Sequence, residues 1–310
     1  MSGLNQQELE RLVEVVAEQV KARMSAAGLG ISSAPVTCDT EGCTNCTATA
    51  AECTGSGRCA SVKKASVENI IANGAARVGA APGIGAVDPS IAGMIDHTLL
   101  KPDATKEQLE QLCREAVEYG FATVCVNSAN IPFVARLLRG TPVKPIAVVG
   151  FPLGASLSSA KAYEAREAIR NGAQEIDMVI NVGALKSRDY VTVVEDIKRV
   201  VEASRPHKVK VIIETGLLTD EEKVIACTLA KAAGAHFVKT STGFGPGGAT
   251  VEDVRLMRRV VGKDMEVKAS GGIRTREDAE AMRRAGADRI GASASVAIAT
   301  GKRPSGNKGY

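Results

Sequence analysis

From residue 91 onward, short apolar runs alternate with stretches whose apolar residues recur at helical spacing. The runs cover residues 92–99, 121–126, 145–151, 175–180, 209–214, 236–240, 266–270 and 289–293. Short apolar runs bounded by turn residues predict strands. Between them lie helical stretches at 105–119, 158–171, 191–203, 219–233, 250–261 and 275–285. The pairs Thr105/Gln108, Thr219/Glu222, Thr250/Asp253 and Thr275/Asp278 place an acid or amide three residues after a hydroxyl, which marks a helix start. Gly-Ala steps at Gly172, Gly234 and Gly286 mark helix stops. Strand, capped helix and glycine stop recur along the chain, which predicts a (β/α)8 TIM barrel over residues 89–310. A doubly wound open sheet is the alternative, but no Gly-x-Gly-x-x-Gly turn follows the first run.

The N-terminal part reads differently. Leu9, Leu12, Val13, Val16, Val20 and Met24 form one narrow apolar stripe among Glu, Gln and Arg, so residues 1–27 predict an amphipathic helix in search of a partner surface. Residues 28–88 are rich in Gly, Ser, Ala and Pro and predict a flexible linker, with a second short helix across 62–78. Of the eight cysteines, Cys38, Cys43, Cys46, Cys53 and Cys59 fall in this linker. The spacing Cys38-x4-Cys43-x2-Cys46 matches three positions of a plant-type iron-sulfur pattern, with Cys53 or Cys59 as a fourth ligand. Zinc would also fit four of these thiolates, and a redox-labile disulfide loop needs no metal. The fold class is α/β: a TIM barrel preceded by an amphipathic helix and a Cys-rich linker.

Composition narrows the function. The net charge is +4 over 310 residues, with basic and acidic residues interleaved along helices. Only 3% of residues are aromatic and none is Trp. A nucleic-acid footprint or base-stacking platform is therefore not expected. No apolar run approaches the roughly 20 residues of a membrane span. Glu8, Glu10, Glu14 and Glu18 make the N-terminus unlike a secretory signal or an acid-poor transit peptide, so a cytoplasmic location is expected.

Two lysines carry the candidate chemistry: Lys239 in His236-Phe-Val-Lys-Thr-Ser-Thr-Gly243 and Lys268 in Glu266-Val-Lys-Ala-Ser-Gly-Gly-Ile-Arg274. Barrel enzymes place their chemistry at the C-terminal ends of strands, and both lysines are expected there. A single exposed lysine needs no explanation, but two neighbouring cations in a barrel interior oppose each other's protonation, and burial favours the neutral amine. A neutral amine attacks carbonyls. Asp96, His97, Cys125, Asn127, Asp177, Asn181 and Glu214 sit at the ends of other runs. Asp177 is the candidate proton carrier, or merely the counter-charge of the lysines. The late loops with Thr242 and Gly243, Gly271 and Gly272, and Gly291 and Ser293 predict a cradle of backbone N–H groups for a phosphate.

The segments Ile95-Asp-His-Thr-Leu-Leu-Lys-Pro102, Val124-Cys-Val-Asn127, Gly150-Phe-Pro-Leu-Gly154, Glu175-Ile-Asp-Met-Val-Ile-Asn181, Phe237-Val-Lys-Thr-Ser-Thr-Gly-Phe244 and Val267-Lys-Ala-Ser-Gly-Gly-Ile-Arg274 resemble the deoxyribose-phosphate aldolase family, in order, from about Pro89 to the C-terminus. The resemblance implies a metal-free class I aldolase that reversibly cleaves 2-deoxy-D-ribose 5-phosphate to acetaldehyde and D-glyceraldehyde 3-phosphate. It implies that Lys239 forms the imine, that Lys268 lowers the pKa of Lys239, and that Asp177 moves protons through a bound water. It further implies that Asp96 supports the lysines and substrate hydroxyls, that Cys125 is a site cysteine open to aldehydes, that Tyr310 reaches over the substrate, and that the protein is a homodimer. One departure is Gly291-Ala-Ser-Ala294, where the family often has two adjacent serines. The N-terminal helix resembles the encapsulation peptides that carry enzymes to bacterial microcompartment shells, which would make a shell protein its partner. The alternatives are a lysine aldolase acting on another phosphorylated substrate, or a non-catalytic cargo or electron-carrying protein.

Overall fold

The computed structural model describes residues 87–301 together with Val15 and Glu18, both helical and exposed. Eight strands follow one another around a closed barrel: β1 (Ile95–Leu99), β2 (Thr123–Asn127), β3 (Lys144–Val149), β4 (Glu175–Val179), β5 (Lys208–Ile212), β6 (Phe237–Lys239), β7 (Glu266–Ser270) and β8 (Arg289–Ala292). All neighbours are parallel, and β8 pairs with β1. The helices among the described residues are α1 (Pro89–Ala92), α2 (Lys106–Tyr119), α3 (Ile131–Leu137), α4 (Ser158–Arg170), α5 (Val182–Lys186), α6 (Tyr190–Ser204), α7 (Asp220–Ala232), α8 (Val251–Val261), α9 (Arg276–Ala285) and α10 (Ser295–Thr300). The expected TIM barrel is the observed fold.

Apart from Val15 and Glu18, the targeting helix, the linker with Cys38, Cys43, Cys46, Cys53 and Cys59, its short helix, and Tyr310 lie outside the described residues. No helix of the described chain is long and apolar enough to cross a membrane.

Thr105, Thr219 and Thr275 form complete capping boxes, each accepting from the N3 backbone and receiving the N3 side chain in return. Thr250 caps the Asp253 N–H, but the Asp253 carboxylate turns instead to Lys223 at 2.6 Å. The main apolar core fills the layer between strands and helices, with Leu109, Ala116, Val194, Ile197, Val224 and Met257 among its buried members. Each of the larger side chains among them, Ala116 excepted, contributes about 1.5–3 kcal/mol through burial. A buried ion pair crosses this layer: Lys161 of α4 donates to Asp196 of α6 at 2.6 Å and to the Val179 carbonyl of β4 at 2.9 Å. The barrel interior is different. It holds charged side chains and a small apolar group of Leu100, Cys125, Ile146 and Val148 with Phe151 against it.

Candidate active site

Side chains alternate across a strand, so one parity of each strand faces the bore. The ion pairs described below place Asp96, Glu175, Asp177, Lys210, Lys239, Lys268 and Arg289 there. The strand register sets Asp177 beside Lys210, Lys239 beside Lys268, and Lys268 beside Arg289. Asp96, Asp177 and Lys268 lie inside their strands and are wholly buried, deeper than the strand-end positions expected from sequence. Lys239 is the last residue of β6 and is 3% exposed, which leaves it nearest the mouth.

Asp177 is the hub. Its Oδ2 accepts from Lys239 Nζ at 2.8 Å and from Lys268 Nζ at 2.7 Å, while its Oδ1 faces Lys210 Nζ at 3.0 Å. Lys268 also pairs with Asp96 Oδ2 at 2.5 Å. Asp96 Oδ1 accepts from Thr123 and from Arg289, both at 2.7 Å. Lys210 pairs with Glu175, and Arg289 reaches Glu175 at 3.5 Å, which closes a ring of charges. The face of Phe237 lies under Lys210 and Arg289 at 5.2 and 5.6 Å, where a ring quadrupole favours cations.

The electrostatics separate the two lysines. Burial pushes the Lys239 amine below the ordinary lysine value; Asp177 opposes this and Lys268 reinforces it. Burial also acts on Lys268, but Asp177 and Asp96 outweigh it, and Lys268 is held above the ordinary value as a permanent cation. Burial alone would raise the carboxyls of Asp96, Glu175 and Asp177, yet Arg289 and Lys268 hold Asp96 low, Lys210 and Arg289 hold Glu175 low, and Lys210, Lys239 and Lys268 hold Asp177 well below the carboxylate range. Within the bore, three carboxylates thus face four basic groups, and half-exposed Lys144 approaches Glu175 Oε1 at 3.8 Å from the rim. The cluster is balanced when Lys239 is the neutral member.

Above Lys239 and Lys268, the loops after β6, β7 and β8 enclose a pocket of about 200 Å³ lined by Gly243, Gly271, Gly272, Arg274, Gly291 and Ser293, among others. Gly271 and Gly272 both have positive φ, 88° and 78°, which side chains rarely tolerate. Arg274 also lines this pocket; it sits at the end of the very motif that carries Lys268, and sequence reading passed over it. Thr242 is a correction. Its N–H and hydroxyl are both committed to Glu214, the N–H at 3.2 Å, so it braces the loop rather than offering a free donor. Glu214 adopts a left-handed backbone, φ 58°, to make that contact, a conformation costing roughly 1–2 kcal/mol.

His97 is a second correction. Grouped by sequence with the strand-end candidates, it faces the outer side of β1 and meets Glu115 and Ser295. Cys125 is wholly buried, and burial pushes its thiol up to about 11. Lys210, Glu175 and Arg289 are, with Arg274, the site residues that the sequence reading missed. A larger cleft, about 420 Å³, lies by the N-terminal ends of β3 and β4 and is lined by Arg136, Arg139 and Arg170, with none of the lysines of the bore. Among the described residues, no group of three or more His, Cys, Asp or Glu side chains is placed to hold a metal ion.

Residues 91–302 match the family model described as DeoC/LacD family aldolase. The chain is 61% identical over 213 residues to the deoxyribose-phosphate aldolase of Clostridium perfringens (strain SM101 / Type A), covering 68% of this chain and 95% of that one. It is likewise 61% identical over 213 residues to the deoxyribose-phosphate aldolase of Streptococcus gordonii, covering 69% of this chain and 97% of that one. Among solved structures, the tetrameric deoxyribose phosphate aldolase of Aeropyrum pernix superposes with a TM-score of 0.64 at 35% identity, over 68% of this chain and 90% of that one.

Proposed function

The chain belongs to the DeoC/LacD aldolase family, and from that membership we propose a class I aldolase that reversibly cleaves 2-deoxy-D-ribose 5-phosphate to D-glyceraldehyde 3-phosphate and acetaldehyde. The observation that carries the reading is the contrast between two buried lysines on one carboxylate oxygen, Lys239 lowered and Lys268 raised.

In the cleavage direction, the neutral Lys239 amine adds to the C1 aldehyde, and the carbinolamine loses water to give an iminium. The 3-hydroxyl then gives up its proton and the C2–C3 bond breaks, with its electrons drawn into the iminium to form an enamine. Glyceraldehyde 3-phosphate leaves at this step. Protonation of the enamine carbon and hydrolysis release acetaldehyde and restore the amine. Asp177, an anion at rest and 2.8 Å from Lys239, is the group suited to receive and return these protons through a water. Lys268 keeps Lys239 nucleophilic, and Asp96, Arg289, Lys210 and Glu175 hold Lys268 and Asp177 in place. The glycine loops with Arg274 and Ser293 take the phosphate. All of this chemistry runs on the protein's own amine and carboxylate, with no cofactor. A barrel serving only as scaffold would gain nothing from a buried amine held off protonation.

Borohydride reduction in the presence of acetaldehyde is expected to fix an ethyl group on Lys239, read by peptide mass spectrometry. Absence of an adduct on Lys239, or activity that survives Lys239→Leu, would remove this reading. The homodimer and the shell partner of residues 1–27 are further proposals. Light scattering tests the first, and loss of shell association on deleting residues 1–24 tests the second.

A further inference from the structure

Behind the last loop of the small pocket lies a line of polar side chains that the imine chemistry does not use. His97 is 3% exposed and Ser295, the first residue of α10, is fully buried. The His97 ring places Nε2 2.7 Å from Glu115 Oε2 on α2 and Nδ1 2.9 Å from Ser295 Oγ. Glu115 is itself fixed by Gln111, which donates to Oε1 at 2.7 Å. Phe121 packs edge-on against the imidazole with centroids 5.1 Å apart. At the other end of the line, the Ser295 hydroxyl donates to the Ala292 carbonyl at 2.8 Å. The barrel register pairs His97 with Ala292, so the line runs directly from β1 to the end of β8.

The geometry of one peptide unit turns this line into a functional device. In a trans peptide the C=O and N–H point in opposite directions, and the Ala292–Ser293 bond is trans. A carbonyl of Ala292 held by Ser295 therefore turns the Ser293 N–H to the opposite side of the chain from that hydrogen bond, and Gly291, Ala292 and Ser293 all line the pocket. Ala294 brings no hydroxyl to this loop, so its backbone donors matter more.

We propose that Glu115, His97 and Ser295 are positioning residues that aim the Ser293 N–H at the substrate phosphate and thereby set the preference for phosphorylated over unphosphorylated sugars. The inference rests on the reading of the pocket as a phosphate site. A histidine that merely filled the core would support both kinds of substrate equally.

The test compares 2-deoxyribose 5-phosphate with 2-deoxyribose on the full chain. Ser295→Ala is expected to raise KM for the phosphorylated sugar about tenfold, the loss of one charge-assisted hydrogen bond. Its kcat on that sugar and its kcat/KM on 2-deoxyribose are expected to stay within about twofold, on the same principle that only the phosphate contact is lost. His97→Phe, which keeps the ring packing, should behave as Ser295→Ala does, and His97→Asn, which keeps a polar group near Nδ1, should recover part of the loss. The dissociation constant of inorganic phosphate, measured by calorimetry, should rise in step. Equal losses on both sugars, or unchanged KM and phosphate binding, would overturn the proposal. Phosphate binding needs no turnover, so a wild type that bound phosphate without cleaving the sugar would sink the aldolase reading and leave this one standing or falling on its own.

Discussion

Replacing Lys268 with Met keeps the stem and removes the charge, and its effect on Lys239 follows from the geometry. The two amines lie 2.8 and 2.7 Å from one oxygen of Asp177, which bounds their separation at about 5.5 Å and their repulsion at no less than about 3 kcal/mol for an effective dielectric near 20. Without that repulsion, about 100-fold less Lys239 is neutral at a given pH below its titration. The charge balance gives the same direction. With Lys268 gone, Asp96, Glu175 and Asp177 face only Lys210, Arg289 and Lys239, and the cluster is balanced when Lys239 is protonated. The variant's kcat/KM is therefore expected to fall about 100-fold near pH 7 and to recover as the pH rises toward 10. The assay is kcat/KM across pH 6 to 10, with borohydride trapping at each pH and circular dichroism as the control for folding. An ascending limb that stays in place or moves to lower pH would refute the electrostatic role. A loss of equal size at every pH would mean that Lys268 enters the chemistry itself.

Three further outcomes follow from the buried charges. Lys161→Met strands Asp196 between α4, α6 and β4, and breaking such a pair from one side costs about 3–5 kcal/mol, or roughly 10 °C in melting temperature, while activity at 25 °C is retained; an unchanged melting temperature would show that the pair contributes nothing. The folded carboxyls of Asp96, Glu175 and Asp177 all lie below their unfolded values, so their stabilisation is complete above the unfolded values and is lost as pH falls toward the folded ones. The melting temperature should accordingly hold down to about pH 5 and drop below about pH 4, and a fall between pH 7 and 5 would implicate other groups. Cys125 and Cys113, pushed up by burial to about 11 and about 12, should resist iodoacetamide at pH 7.5 in the native protein and react on unfolding; rapid native alkylation of Cys125 would mean that the site opens in solution.

The barrel was legible because its signals are local and repeated. Capping residues announced α2, α7 and α9, and the apolar runs located every strand to within a few residues. The helices that the pattern did not mark are α1, α3, α5 and α10, all of seven residues or fewer. Two turns or less give too few positions for a 3.6-residue period to declare itself, and α3 carries Pro132, which reads as a breaker although it is well accommodated in a first helical turn. The Thr250/Asp253 signal was half right because a helix start is local and an ion pair is not. Nothing near Asp253 in sequence reveals Lys223, thirty residues away.

At the site, strand parity was the rule left unused. Asp96 and His97 are consecutive in a strand and cannot both face the bore, so the lysine network fixes Asp96 inward and His97 outward. The same rule, applied to Asp177, places Glu175 inward two residues before it. Applied to Lys239, whose neighbour in register is Ile212, it places Lys210 and Phe237 inward as well. These positions looked like ordinary polar residues at the rims of strands because a parallel strand buried on both faces shows no clean alternation. A charged residue at an inward position of such a strand can persist only with partners. Once Lys239 is taken as a neutral amine beside a cationic Lys268, the bore must supply anions for Lys268 and further cations for those anions. The Arg289–Glu175–Lys210 arc is that requirement met in structure, and it explains why one reactive amine needs six charged neighbours to stay uncharged.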